Sequence, residues 1–366
     1  MMRKERNLNA DLIRCAAVYS VLSVHFLLNS GFYGVPVEGA DMLVMCMYRS
    51  LFMTCVPLFM ILTGYLMWQK KLSNGYYKGL LRTVEIYVLV SIADLLFKRF
   101  YQGKDVTFVS GLLGIFSYES ANYSWYIEMY IGLFLMIPFL NLAYHGLQGQ
   151  KQKRTLIITM MALTFLPKIL NLFVLTDPAW WQSPAISKEY DKLVPSFFTA
   201  MYPITYYFIG AYLREYGWKL NKKQTALLLA LVVAGFGCYN FYRSDGGKFV
   251  WGANSTWGGE NLVTAVLVFG LLLQVRVNRW PQAVKSALVY ISRVSLGIYL
   301  MSWMFDQIIY KEYLIPLVPV VNERWKYFIV VVPCVFVAAT GGASVIYLIR
   351  DAIHKACGRK HFSNTL

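Results

Sequence analysis

The sequence predicts an all-α, polytopic membrane protein with about ten transmembrane helices and both termini in the cytoplasm. Three observations predict it. The chain is 57% hydrophobic and only 15% charged, where soluble domains run nearer a quarter charged. Its apolar runs reach the roughly 20 residues that a helix needs to cross the hydrocarbon. Its basic residues concentrate in alternate loops, as the positive-inside bias requires.

The expected spans are 11–30, 42–68, 80–97, 125–144, 155–175, 197–213, 224–242, 260–275, 286–306 and 327–349. The sixth is short, and Pro203 is expected to kink it. The segment 106–118 is apolar but too short to span, and reads as a re-entrant or interfacial piece. The run from Leu12 to Leu28 contains Arg14 and is long for a signal-peptide core, so it reads as the first span. No repeat, linker or soluble module interrupts the pattern, and residues 1–366 read as a single membrane domain.

Charge assigns the sides. Arg3, Lys4 and Arg6 precede the first span, and Lys70, Lys71 and Lys78 fill the next even loop. Lys151, Lys153 and Arg154 follow, then Arg214, Lys219, Lys222 and Lys223, then Arg276, Arg279 and Lys285. Arg350, Lys355, Arg359 and Lys360 close the chain. Only Glu5, Glu215 and Asp351 oppose them, whereas the intervening loops carry balanced charge. The net charge of +16 therefore reads as membrane topology rather than nucleic-acid binding, since there is no long basic block. Six dispersed cysteines without a C-x-x-C pair and four scattered histidines predict neither a disulfide framework nor a metal site.

Ionisable groups inside spans are costly and mark function by default. On the first helix Asp11, Arg14 and His25 share one stripe. Arg14 and His25 are 11 residues apart, about three turns and about 16 Å of rise. A neutral imidazole in a dry site can serve as general base; the bland alternative is a histidine hydrogen-bonded within the bundle. On the third helix Lys78, Arg82 and Glu85 enter from the same side, and Arg82 and Glu85 at i, i+3 can pair. Arg14, Arg82 and Lys78 would form a cationic mouth suited to phosphate, which guanidinium groups hold bidentately. Asp11 and Glu85 would support them. Trp125 and Glu128 on the fourth helix, with Tyr299, Ser302 and Asp306 on the ninth, fall at the depth of His25, where stacking and carboxylates would suit a hydroxylated acceptor. Arg49, Lys168 and Arg293 lie near helix ends, where snorkelling would account for them as readily as a functional role.

Four segments resemble the acyltransferase 3 family. Asn9–Arg14 through His25 is similar to its first motif, a basic residue and a histidine separated by ten positions. Pro57–Leu66, with Thr63-Gly64-Tyr65-Leu66, is similar to its second-helix Ser-Gly-Tyr-Leu segment. Trp125-Tyr126 with Pro138, and Ile291-Ser292 through Ser295-Leu296-Gly297-Ile298-Tyr299-Leu300, are similar to its middle and late helices. Departures exist: Gly79 replaces the first arginine of the family's R-x-x-R, whose second is Arg82, and Leu296 and Ser302 replace an aromatic residue and a histidine.

The resemblance implies transfer of an acyl group, most often acetyl, from cytoplasmic acyl-CoA to a hydroxyl of an extracytoplasmic glycan or cell-envelope precursor. It implies His25 as the catalytic residue and Arg14 as a donor-binding one. The acyl-CoA is a co-substrate and no bound cofactor is implied. The implied partners are acyl-CoA, a carbohydrate or lipid-linked glycan acceptor and the lipid bilayer, in a multi-pass protein of the bacterial inner (plasma) membrane. A flippase or exporter of a lipid-linked glycan or small anion is the alternative, distinguished by indifference to acyl-CoA.

Overall fold

A computed structural model describes residues 6–73, 75–183, 189–251 and 257–358. Arg3, Lys4, Arg359 and Lys360, which entered the charge argument, lie outside the described residues. Every expected span overlaps helix, though 171–175 and the residues before Tyr202 lie outside α-helix. The helices are α1 (Leu8–Asn29), α2 (Gly39–Phe52), α3 (Cys55–Met67), α4 (Lys78–Leu96), α5 (Phe108–Phe116), α6 (Trp125–Gly146), α7 (Gly149–Thr164), α8 (Leu166–Leu170), α9 (Tyr202–Tyr216), α10 (Lys222–Ser244), α11 (Glu260–Leu273), α12 (Gln282–Ile308), α13 (Ile315–Leu317) and α14 (Phe328–Ala356). Among the described residues no strand forms, only one isolated bridge between Pro36 and Lys248.

Six stretches are long and apolar enough to cross a membrane: Leu8–Gly34, Gly39–Met67, Trp125–Gly146, Lys222–Ser244, Gln282–Leu317 and Val321–Ala356. α4 carries Lys78, Arg82, Glu85 and Asp94 and is too charged to join them, while α7, α9 and α11 are short. The expected ten thus exceeds the six that length and apolarity support.

Local chemistry sets the boundaries. Asn7 caps α1 by accepting from the amide of Ala10. Asn221 and Gln224 form a capping box at α10. The expected second span is two helices. Pro57 has no N–H to give the carbonyl of Met53, and the chain turns at Met53-Thr54 before α3 begins. The fifth span starts earlier than expected, at Gly149, and Pro167, which has no N–H to give the carbonyl of Leu163, stops it at Thr164. The kink expected in the sixth span is absent. Pro203 lies in the first turn of α9, where a missing amide costs no intrahelical bond. α5 is a single nine-residue helix with Phe108, Leu113 and Phe116 exposed.

α1 is the centre of the bundle and packs on α2, α3, α11, α12 and α14. Asp11, Ser20, Ser23 and His25 are therefore buried in protein. Two crossings are drawn tight by glycine. A Cβ on Gly64 of α3 would stand 2.0 Å from the carbonyl oxygen of Tyr207 on α9, and one on Gly210 would stand 2.0 Å from that of Ile61. A Cβ on Gly297 of α12 would lie 2.9 Å from the Cβ of Ala343 on α14. Small residues allow such backbone approach within a membrane, where packing rather than water drives association.

Candidate active site

His25 lies near the end of α1 and is buried. Its Nδ1 is 3.3 Å from Oδ2 of Asp306 on α12 and 3.4 Å from Oγ of Ser302, one turn earlier. The same carboxylate oxygen accepts from the Tyr123 hydroxyl at 3.0 Å. Asn29, one turn beyond His25, donates to the His25 carbonyl at 2.8 Å and reaches Tyr123 and Asp306 at 3.4 Å each. The Tyr123 ring lies over the imidazole, with centroids 3.8 Å apart and planes tilted by 36°. A carboxylate facing Nδ1 selects the tautomer with its proton there and leaves Nε2 as the basic nitrogen. Nε2 has no hydrogen-bond partner among the described residues. The other carboxylate oxygen, Oδ1, and the hydroxyls of Tyr299 and Tyr310 are buried without partners among the described residues. Such groups are exceptional inside proteins.

Three turns back along α1, the basic end is built on the start of α12. Arg14 donates to Oγ of Ser292 at 2.9 Å, and Ser292 donates to Asp11 at 2.6 Å. Asp11 is also held by Arg6 at 2.7 and 2.8 Å, while its own approach to Arg14 is 3.8 Å. The guanidinium of Arg82 meets the ring of Tyr347 at 5.6 Å and the carbonyl of Arg293, the residue after Ser292, at 3.5 Å. Arg14 and Arg82 thus approach adjacent residues of one helix. Lys78 is exposed at the start of α4 and has no ion-pair partner among the described residues.

The i, i+3 pairing considered for Arg82 and Glu85 does not form. Glu85 is taken instead by Arg350 at 2.7 Å and His354 at 3.1 Å, both on α14. Arg49 does not snorkel. It is fully buried, pairs with Glu260 at 3.0 Å and lies 4.5 Å over the ring of Phe249, because α10 and α11 close over α2. Glu128 is exposed and joins no described hydrogen bond, so it stands apart from the His25 cluster. Trp125 is 40% exposed and stacks on Trp257.

An aromatic row joins the two ends. Tyr299 meets Tyr126 edge to face at 6.0 Å, Tyr126 meets Tyr130 at 6.1 Å, Tyr130 meets Phe134 at 6.0 Å, and Phe134 stacks on Tyr76 beside Lys78. Tyr126, Tyr130 and Phe134 fall four apart on α6, a spacing the sequence displays. Asn29 is readable in the same way, one turn past His25. Tyr123 carries no such signal, and Ser292 is readable as a motif position but not as the partner of Arg14, because that contact comes from a distant part of the chain.

Three of the four motifs therefore meet at α1, on α1, α3 and α12, and the α6 motif joins them through Tyr126 against Tyr299, with a histidine–carboxylate–tyrosine cluster at one end of α1 and arginines at the other. Residues 7–347 match the family described as an acyltransferase domain. The chain belongs to the acyltransferase 3 family. The acyltransferase domain begins at Asn7, the cap of α1, and ends at Tyr347, the ring beneath Arg82, so it includes both ends of the site. With six apolar helices of spanning length, the chain is a membrane acyltransferase. No curated protein and no solved structure matches the chain.

Proposed function

We propose that this acyltransferase moves an acyl group, acetyl in the first instance, from acyl-CoA on the cytoplasmic side to a hydroxyl of an extracytoplasmic glycan or cell-envelope precursor. The observation that carries the reading is the pairing of His25 with Asp306 and Tyr123 at one end of α1, with Arg14 three turns away at the other. The basic loops support a cytoplasmic position for the arginine end.

The phosphates of the donor dock on Arg14 and Arg82, with Lys78 at the rim. Its pantetheine arm runs toward His25 over about 16 Å of helix rise, a length that an extended arm covers. The acceptor hydroxyl gives its proton to Nε2 of His25, and its oxygen attacks the thioester carbonyl carbon. The carbon–sulfur bond breaks, and the departing thiolate recovers the proton from the imidazolium. Asp306 stabilises that imidazolium and holds the ring in place, while Tyr123 holds Asp306.

The deciding experiment is CoA thiol release from acetyl-CoA by purified protein in nanodiscs, with and without an envelope glycan extract. Release that rises with glycan and vanishes in His25→Ala is expected. A His25→Ala protein that folds and releases thiol at the wild-type rate overturns the reading. Absence of release from several acyl-CoAs, with transport unaffected by His25→Ala, would favour a flippase.

A further inference from the structure

An apolar groove of about 560 Å³ runs along the outside of the bundle between α7 and α11, away from His25. Its origin lies in the glycine contacts described above. Gly64 and Gly210 let α9 sink against α3 until backbone meets backbone, so α9 sits recessed. The flanking helices then stand proud of it. Ile158 and Met161 of α7 form one wall, Val263 and Val266 of α11 form the other, and Leu213 of α9 lies at the floor. Trp218 closes one end, fixed by its Nε1 bond to Thr225 at 3.0 Å and by packing on Gly270, where a Cβ would meet the indole at 2.4 Å.

Two cations mark that same end. Arg154 and Lys219 both line the groove and both are exposed. The Tyr212 hydroxyl accepts from Nε of Arg154 at 2.7 Å and fixes its direction, and neither cation has an ion-pair partner among the described residues. This is the basic end of the bundle: Thr225 also bonds to Gln274, and Asn9 at the start of α1 bonds to the carbonyls of Leu272 and Val275.

We propose that the groove is a binding site for one anionic phospholipid from the leaflet at the basic end. Its acyl chain lies between α7 and α11, and its phosphate lies between Arg154 and Lys219. The volume falls within the roughly 300–1,000 Å³ of ligand sites. An acyl chain gains little by leaving lipid for an apolar groove, since lipid is equally apolar. Selection therefore rests on the two cations, each worth about fivefold in occupancy toward an anionic headgroup.

The test is native mass spectrometry of the protein extracted from nanodiscs of equal phosphatidylglycerol and phosphatidylcholine. One retained phosphatidylglycerol, favoured roughly twentyfold over phosphatidylcholine, is expected. Arg154→Gln with Lys219→Gln should abolish the preference. Ile158→Trp, an exposed position that would fill the groove, should abolish retention with both cations intact. Size-exclusion profiles check that each variant folds. Equal retention of the two lipids, or undiminished preference in the double variant, overturns the proposal. A polyprenyl phosphate that displaces phosphatidylglycerol at substoichiometric amounts overturns phospholipid as the occupant.

Discussion

Asp306 stands 3.3 Å from Nδ1 of His25, and its second oxygen has no partner among the described residues. A buried carboxylate whose contacts among those residues are a histidine, a tyrosine and an asparagine is placed to orient the imidazole. Asp306→Asn keeps the shape and removes the charge. General-base catalysis contributes about 10²- to 10⁴-fold. His25→Ala should lose that whole factor in kcat, and Asp306→Asn a smaller part, with donor KM unchanged in both. Steady-state kinetics on protein of verified fold checks this, and equal kcat for Asp306→Asn and wild type would remove the orienting role.

Tyr123→Phe isolates the hydroxyl, because the ring over His25 remains. The lost bond to Asp306 is worth about 1 kcal/mol, with more where the acceptor is charged. A kcat lower by about five- to tenfold is expected, again with donor KM unchanged. Tyr123→Ala, which also removes the ring, should cost more.

Arg14 is dispensable to its neighbours. Asp11 keeps both bonds to Arg6 and the bond from Ser292 when Arg14 is replaced. Arg14→Gln should therefore fold normally and raise KM for acyl-CoA by about tenfold, the equivalent of one charge-assisted hydrogen bond. Arg14→Lys should recover little of it, since an ammonium does not reproduce the planar fork. Donor titrations of thiol release measure both.

Arg49 and Glu260 form a buried pair, and its loss should fall on stability. Arg49→Ala leaves a carboxylate buried without its cation, a loss of about 3–5 kcal/mol. The double change Arg49→Met with Glu260→Leu should recover most of the melting temperature. A single variant that melts as wild type would show that the pair contributes nothing.

The arrangement of α1 was legible because it depends on periodicity alone. An uninterrupted helix places Arg14 and His25 on one stripe whatever surrounds it, and α1 is uninterrupted. The partners were not legible in the same way. Asp306 is paired with a residue 281 positions earlier, and its depth was readable only from the order of the helices. Glu85 had one local candidate partner, Arg82, and it lost to Arg350 and His354 because α14 packs on that face of α4. The burial of Arg49 depends on α10 and α11 covering it, which no local pattern encodes. Breaks at Pro57 and Pro167 were available in the sequence but were outweighed by the apolar runs around them. The glycines of Thr63-Gly64-Tyr65-Leu66 and Ser295-Leu296-Gly297 were visible as motif positions; their physical role, contact with neighbouring backbones and side chains, emerged only with the fold.

The continuity of α1 has a mechanical consequence. Between Leu8 and Asn29 there is neither proline nor glycine, and the helix carries a group of each end of the site on one rod. A rod transmits rotation without loss. A turn of α1 by one residue, about 100°, would swing Arg14 off Ser292 and His25 off Asp306 in the same movement. The contacts of Arg14 and of His25 are thus carried by one unbroken helix, and a displacement of either end is felt at the other.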